Sequence, residues 1–235
     1  MTRFARERFC ELAAAKSRSG NLASTLWISS GPWCIKHPRL GQNGIAMNLH
    51  CEHHIGGCGA RLWHGDGAHM LQSLKPASVD LIVTSPPYFI GKEYDTSTSA
   101  RDFTHEVKRI SNKMVRALKP GGSLCWQVGN HVRDGALIPL DVLIASELMR
   151  RKDIILRNRI IWTFNHGAHA QARFSGRHET VLWYTKGSPT HFNLDDVRVP
   201  QIYPGKRHYK GPKKGQWSGN PLGKNPGDVW DIGDI

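Results

Sequence analysis

Between residues 60 and 185 the apolar positions follow two periods in turn. Short apolar runs at 61–64, 79–85, 123–129, 154–164 and 179–185 predict strands, while apolar residues three and four apart predict helices at 68–74, 102–118 and 137–151. The longest helix carries the stripe Phe103, Val107, Ile110, Met114, Val115 and Leu118, and Lys119-Pro120-Gly121-Gly122 closes it. In the strand at 154–164, period-two alternation puts Ile154, Leu156, Asn158, Ile160 and Trp162 on one face. Residues 130–135 and 165–178 read as loops, the second rich in His, Arg, Gly and Ala. Strands alternating with helices predict a doubly wound α/β domain.

The flanks carry no such period. Residues 4–16 can form a short basic amphipathic helix, but 17–48 are rich in Ser, Gly, Asn and Pro, so residues 1–60 are expected to be a poorly ordered basic extension. After Pro200, cations, aromatics and glycines interleave from Gln201 to Gly215 without periodicity. The chain therefore divides into an extension at 1–60, an α/β region at 61–199 and a basic segment at 200–235.

The strand at 79–85 ends abruptly at Ser85-Pro86-Pro87-Tyr88. Neither proline has an N–H, φ is fixed near −65° at both, and Ser85 is pushed into an extended conformation. The result is a stiff corner beyond the carboxyl end of a strand, where open α/β sheets bind ligands. The Ser85 hydroxyl and the Pro86 carbonyl are both acceptors, and Tyr88 offers an aromatic face. Two acceptors on the hydrogens of a nucleobase amine would favour the pyramidal form in which its lone pair is available, with the base stacked on Tyr88. A strand stopped by prolines and followed by a turn is the plainer reading of the same four residues.

Thr84-Ser85-Pro86-Pro87-Tyr88 resembles the catalytic motif of amino DNA methyltransferases, which move a methyl group from S-adenosylmethionine to cytosine N4 or adenine N6. The segments 62–67, 118–122, 173–179 and 225–231 also resemble this family, in the order of its permuted β-type members. The resemblance implies a Rossmann-like S-adenosylmethionine-dependent methyltransferase fold, circularly permuted, with Ser85, Pro86, Pro87 and Tyr88 catalytic. It also implies contact between Asp66 and the adenosine of the cofactor, although an aspartate in that turn is equally a helix cap. Ser at the head of the corner is commoner in cytosine-N4 members, so that target is favoured over adenine N6.

The resemblance further implies a glycine-rich cofactor loop and an acid-tipped strand that this sequence lacks. The fold is accordingly expected to be incomplete at its C-terminus, with two strands missing between those at 61–64 and 79–85. Sheet edges would then stay unpaired, cofactor binding would be weak, and a second polypeptide would have to supply the loop.

Charge sharpens the choice of partner. With 32 Lys and Arg against 19 Asp and Glu, the net charge is +13, which fits double-stranded DNA. Lys206, Arg207, Lys210, Lys213 and Lys214 are candidate phosphate contacts, and Tyr203, Tyr209 and Trp217 can stack on or wedge between bases; a solvated basic loop is the alternative. Arg173 and Arg177 in the 165–178 loop either reach DNA or pair with acids of the scaffold. Five cysteines without regular spacing predict reduced thiols, and no apolar run spans a membrane, so a cytoplasmic protein is expected. Cys51, His53, His54, Cys58 and His64 lack the paired spacing of a structural zinc site, and no metal is expected. Two rivals to the enzyme stand: a non-catalytic DNA-binding subunit, and an RNA methyltransferase.

Overall fold

The computed structural model describes residues 25–28, 48–55, 58–64, 66–85, 99–188 and 190–231, with backbone alone for the strands before residue 66 apart from Trp63. The strands are β1 (Thr25–Ile28), β2 (Asn48–Ile55), β3 (Cys58–His64), β4 (Val79–Thr84), β5 (Leu118–Val128), β6 (Asn130–Arg133), β7 (Ala136–Pro139), β8 (Ile154–Thr163), β9 (His178–Lys186) and β10 (Val229–Asp231). The helices are α1 (Gly67–Ser73), α2 (Ala100–Ala117), α3 (Leu140–Leu148) and α4 (Leu194–Val197). A six-stranded sheet runs β1-β4-β5-β9-β8-β10, and β2-β3 and β6-β7 form separate two-stranded pairs. Pairing is parallel for β1 with β4, β4 with β5 and β8 with β10, whereas β9 is antiparallel to both its neighbours. Five strands thus point their carboxyl ends at one edge.

Helix ends are capped by adjacent side chains and by side chains from distant elements. Ser99 accepts from the Asp102 N–H at 3.2 Å to open α2, and Lys186 donates to the carbonyls of Val115 (2.6 Å) and Leu118 (2.8 Å) at its close. Arg116 donates to the carbonyls of Leu71, Gln72 and Leu74 at the end of α1, which ties that short helix to α2. Asp141, buried in the first turn of α3, accepts from Arg159 of β8 at 2.9 Å. The face these helices cover holds the larger core, including Leu71, Ile82, Val107, Met114, Leu124, Trp126, Ile144, Leu148, Leu182 and Tyr184. Burial of Tyr184 pushes its phenol up to about 12.

The opposite face differs from a doubly wound expectation. There Val83, Ile160 and Val181 form a small cluster with Leu81, Cys125, Trp183 and Trp230, and Phe192 stacks on Trp183 at 5.6 Å; among the described residues α1, α2 and α3 lie on the other side. Alternation along β8 also breaks. The register shifts between Leu156 and Asn158, so Ile154 and Leu156 join the helix-side core while Ile160 joins the opposite cluster. An extra residue in one strand reverses every side chain beyond it. Arg157, at the bulge, donates to the Thr185 hydroxyl at 3.0 Å.

Three further corrections concern pairing. Within residues 1–60 the described residues are β1, β2 and the start of β3. The edge of β4 expected to stay unpaired carries β1, in register Thr25 with Leu81 to Ile28 with Thr84. Thr25-Leu26-Trp27-Ile28 is too short to show a period, but an apolar parallel edge can organise such a run. Residues 61–64, expected as a strand of the main sheet, instead end β3 of the β2-β3 hairpin. Residues 130–135 hold strand β6 and the turn of the β6-β7 pair, and α3 is shorter than the 137–151 expected because Pro139 opens it.

Gly122 lies within β5, where its register against β4 shifts between Leu118 and Ser123. A Cβ there would meet the Lys119 carbonyl at 2.9 Å and the Asp80 carbonyl at 3.1 Å, so β4 and β5 can close on each other only over glycine. Among the described residues Cys125 is in no disulfide, and no helix is long and apolar enough to cross a membrane.

Candidate active site and nucleic-acid interface

Ser85 is half-buried directly beyond β4, at the carboxyl edge of the parallel strands. Thr84 before it is buried and aligned with Trp126 of β5. The sheet thus presents Ser85 where the strand signal put it; Pro86, Pro87 and Tyr88 lie outside the described residues. Two polar atoms lie close to this edge without hydrogen-bond partners among the described residues, Gln127 Oε1 on β5 and His131 Nε2 on β6. Gln127 Nε2 donates to Glu179 at the start of β9. Buried polar atoms without partners fit a polar ligand supplied from outside. Sequence reading missed this cluster; a Gln and a His at the end of an otherwise apolar strand were the available signal.

Asp66 caps α1. Its Oδ1 accepts from the N–H groups of Ala68 (2.7 Å) and His69 (3.2 Å), and its Oδ2 lies 3.6 Å from Arg109 of α2. Burial opposes ionisation, but those two N–H groups, Arg109 and His69 together outweigh it and hold the carboxyl below its usual value. The capping alternative therefore holds, and a ribose contact would use the lone pairs that remain.

Residues 164–177, between β8 and β9, lie at the same edge as Ser85 because Thr163 pairs with His178 and Val128 with Thr180. Arg173 is exposed and donates to the Phe174 carbonyl at 3.1 Å. Arg177 donates to the carbonyls of Gly176 (2.9 Å) and Ala168 (3.4 Å). Both guanidiniums thus bond backbone of their own loop rather than acids of the scaffold.

The basic segment is a closed excursion. Antiparallel bridges join Val199 with Lys224 and Arg207 with Trp217. His208 N–H donates to Gln216 O at 2.9 Å, Gly215 N–H to His208 O at 2.9 Å and Ser218 N–H to Lys206 O at 3.0 Å. Arg207 sits 4.3 Å over the Trp217 ring and bonds the Gly215 carbonyl at 2.7 Å. Lys206, Lys210, Lys213 and Lys214 are exposed, the last three around the tip. A concavity beside the stem is lined by Gln201, Tyr203, Lys206, His208, Tyr209 and Lys224 among others. The Cys and His side chains of residues 51–64 lie outside the described residues, and no cluster that could hold a metal occurs among those described.

A family profile described as DNA methylase, of the N6 and N4 amino type, matches residues 79–235, which takes in β4, the Ser85 edge, the loop and the hairpin. The chain belongs to that family. The type II methyltransferase M.BglII of Bacillus subtilis is 48% identical over 171 residues, 72% of this chain and 47% of that protein. The type II methyltransferase M.ScaI of Streptomyces caespitosus is 34% identical over 175 residues, 73% of this chain and 55% of that protein. The chain spans about half the length of these curated relatives. The PvuII DNA methyltransferase, cytosine-N4-specific, matches in fold with a TM-score of 0.55 at 16% identity, over 73% of this chain and 56% of that one. The mixed sheet is therefore the Rossmann-like sheet of methyltransferases.

Proposed function

We propose that the protein transfers a methyl group from S-adenosylmethionine to the exocyclic amine of a base in double-stranded DNA, with cytosine N4 as the target. The observation that carries this reading is Ser85 at the carboxyl end of a parallel strand of the mixed methyltransferase sheet, at the same edge as the 164–177 loop. Bound there, S-adenosylmethionine supplies an electrophilic methyl on a sulfonium. The chain's own residues do the rest. Ser85 Oγ and the Pro86 carbonyl accept the two amine hydrogens, hold the lone pair towards the methyl and stabilise the positive charge that develops on nitrogen. Tyr88 stacks on the extruded base, and Asp66 holds the adenosine. Lys206, Arg207, Lys210, Lys213 and Lys214, with Arg173, neutralise phosphates; Arg177 keeps the loop in shape.

The test uses the purified protein together with a polypeptide that supplies the missing cofactor loop, labelled S-adenosylmethionine, duplex DNA and RNA, with the products digested to nucleosides. N4-methylcytosine in DNA is expected. N6-methyladenine moves the target to adenine, label confined to RNA replaces DNA by RNA as substrate, and unlabelled DNA with retained binding supports a non-catalytic DNA-binding subunit. Ser85→Ala should lower turnover by about 2–4 kcal/mol of transition-state stabilisation with cofactor affinity nearly intact. Turnover at the parent rate reduces the corner to a strand terminator.

A further inference from the structure

Residues 164–177 contain no helix or strand, yet the loop is closed on itself. Phe164 N–H donates to Arg177 O at 3.1 Å, Ala170 N–H to Ser175 Oγ at 3.1 Å, and the Phe164 and His166 rings meet at 4.9 Å. Arg177 fills the middle, 3.4 Å from His169 Nδ1 and 3.5 Å from where a Cβ on Gly167 would stand. Gly167 has φ +108°, a conformation L side chains rarely adopt, so the loop turns around Arg177 at a residue suited to it. The loop that results holds Phe174 99% exposed, whereas Phe103 in the core is 5% exposed. Arg173, bonding the Phe174 carbonyl, stiffens the same tip.

A single exposed ring is ordinary on a protein surface, but a braced loop that holds one wholly in water forgoes burial that a collapsed loop would gain, so bracing and position together point to a partner. Position narrows the partner. The loop joins β8 to β9 at the Ser85 edge, two to three strand spacings from β4, roughly 10–15 Å. A base held at Ser85 would have left its stack about that far away. Tyr209 is also highly exposed, but it belongs to the basic hairpin, and Trp217 there has one face taken by Arg207.

We propose that Phe174 is the wedge that enters the base stack of duplex DNA and keeps open the gap left when the target nucleotide turns out towards Ser85. This rests on the methyltransferase reading above. Apolar side chains inserted at a base step unstack it at a cost that extra contacts offset, and the cost falls where pairing is already broken.

The test compares binding of the purified protein to a duplex and to the same duplex with one central mismatch, with Phe174→Ala and Phe174→Leu alongside. The parent should favour the mismatched duplex by about tenfold. Phe174→Ala should lose that preference, yet bind intact duplex within about twofold, because phosphate contacts supply non-specific affinity. Phe174→Leu should keep most of the preference, since any bulky apolar side chain can wedge. A parent without mismatch preference, or a preference that survives Phe174→Ala, overturns the wedge while salt-dependent duplex binding leaves the DNA reading standing. Failure of the parent to bind any duplex overturns the DNA reading and the wedge with it. Equal melting temperatures for all three proteins exclude loss of fold, as a fully exposed ring leads one to expect.

Discussion

The sheet and the basic hairpin are ordered by opposite means. In the sheet, Ile82, Leu124, Trp126, Leu182 and Tyr184 are all buried against three helices, and shape follows from exclusion of water. In the hairpin, Tyr203, Tyr209 and Trp217 are exposed, and shape comes from cross-chain backbone hydrogen bonds, one cation–π contact and glycines. Between Asp196 and Asp228 there are seven lysines and arginines and no acid. A core uses up its side chains in holding itself together. A hairpin closed through its backbone leaves them for a partner, at the cost of contributing little to stability.

This contrast can be broken in order of expected effect. Ile82→Ala removes a fully buried side chain and should destabilise the fold by about 2–5 kcal/mol in denaturant unfolding; a loss no larger than for a hairpin variant would erase the distinction. Gly223→Ala should come next. Its Cβ would fall 2.4 Å from the Val199 carbonyl at φ +108°, a local cost of about 1–3 kcal/mol. That strain lies at the hairpin base, so DNA affinity should fall while the melting temperature of the sheet hardly moves, as paired binding and melting measurements would show.

Asp66→Ala should cost about 0.5–2 kcal/mol through the lost cap of α1. Its pH dependence has a definite sign. The carboxyl titrates below its unfolded value of 3.8, so its contribution is present above that pH and is lost as pH falls through the lower folded value. The stabilities of parent and Asp66→Asn should therefore differ by a constant amount above about pH 4 and converge only below it; a gap that changes near neutrality would contradict the capping geometry. The smallest effect on stability belongs to the doubly substituted Lys213→Ala, Lys214→Ala protein, with melting unchanged. Its DNA-binding salt slope should nevertheless flatten by about two, and an unchanged slope returns the tip to a solvated loop.

Legibility in the sequence followed the range of the interaction involved. The stripe from Phe103 to Leu118 forecast α2 to within two residues of Ala100–Ala117, because a helix repeats a contact within one turn. The strand ending at Ser85 was legible for the same reason, its apolar run and its stop both being local. Asp66 was legible only as two alternatives, since a cap and a ligand contact use the same carboxylate. The hydrogen bond between Gln127 and Glu179 depends on residues that strand pairing brings together across the chain.

The sequence by itself determined the α/β alternation, the proline-stopped corner, the succession of family motifs and the uninterrupted positive charge after Pro200. These are one-dimensional facts, set by neighbours within a few residues. Only the tertiary structure decided that β1 lies against β4, that a bulge at Arg157 turns Ile160 to the opposite face, that the basic segment closes as a hairpin, and that Phe174 stands in water. Each depends on what else occupies the surrounding space, and a single residue inserted into a strand reverses every facing beyond it without altering the pattern from which the strand was read.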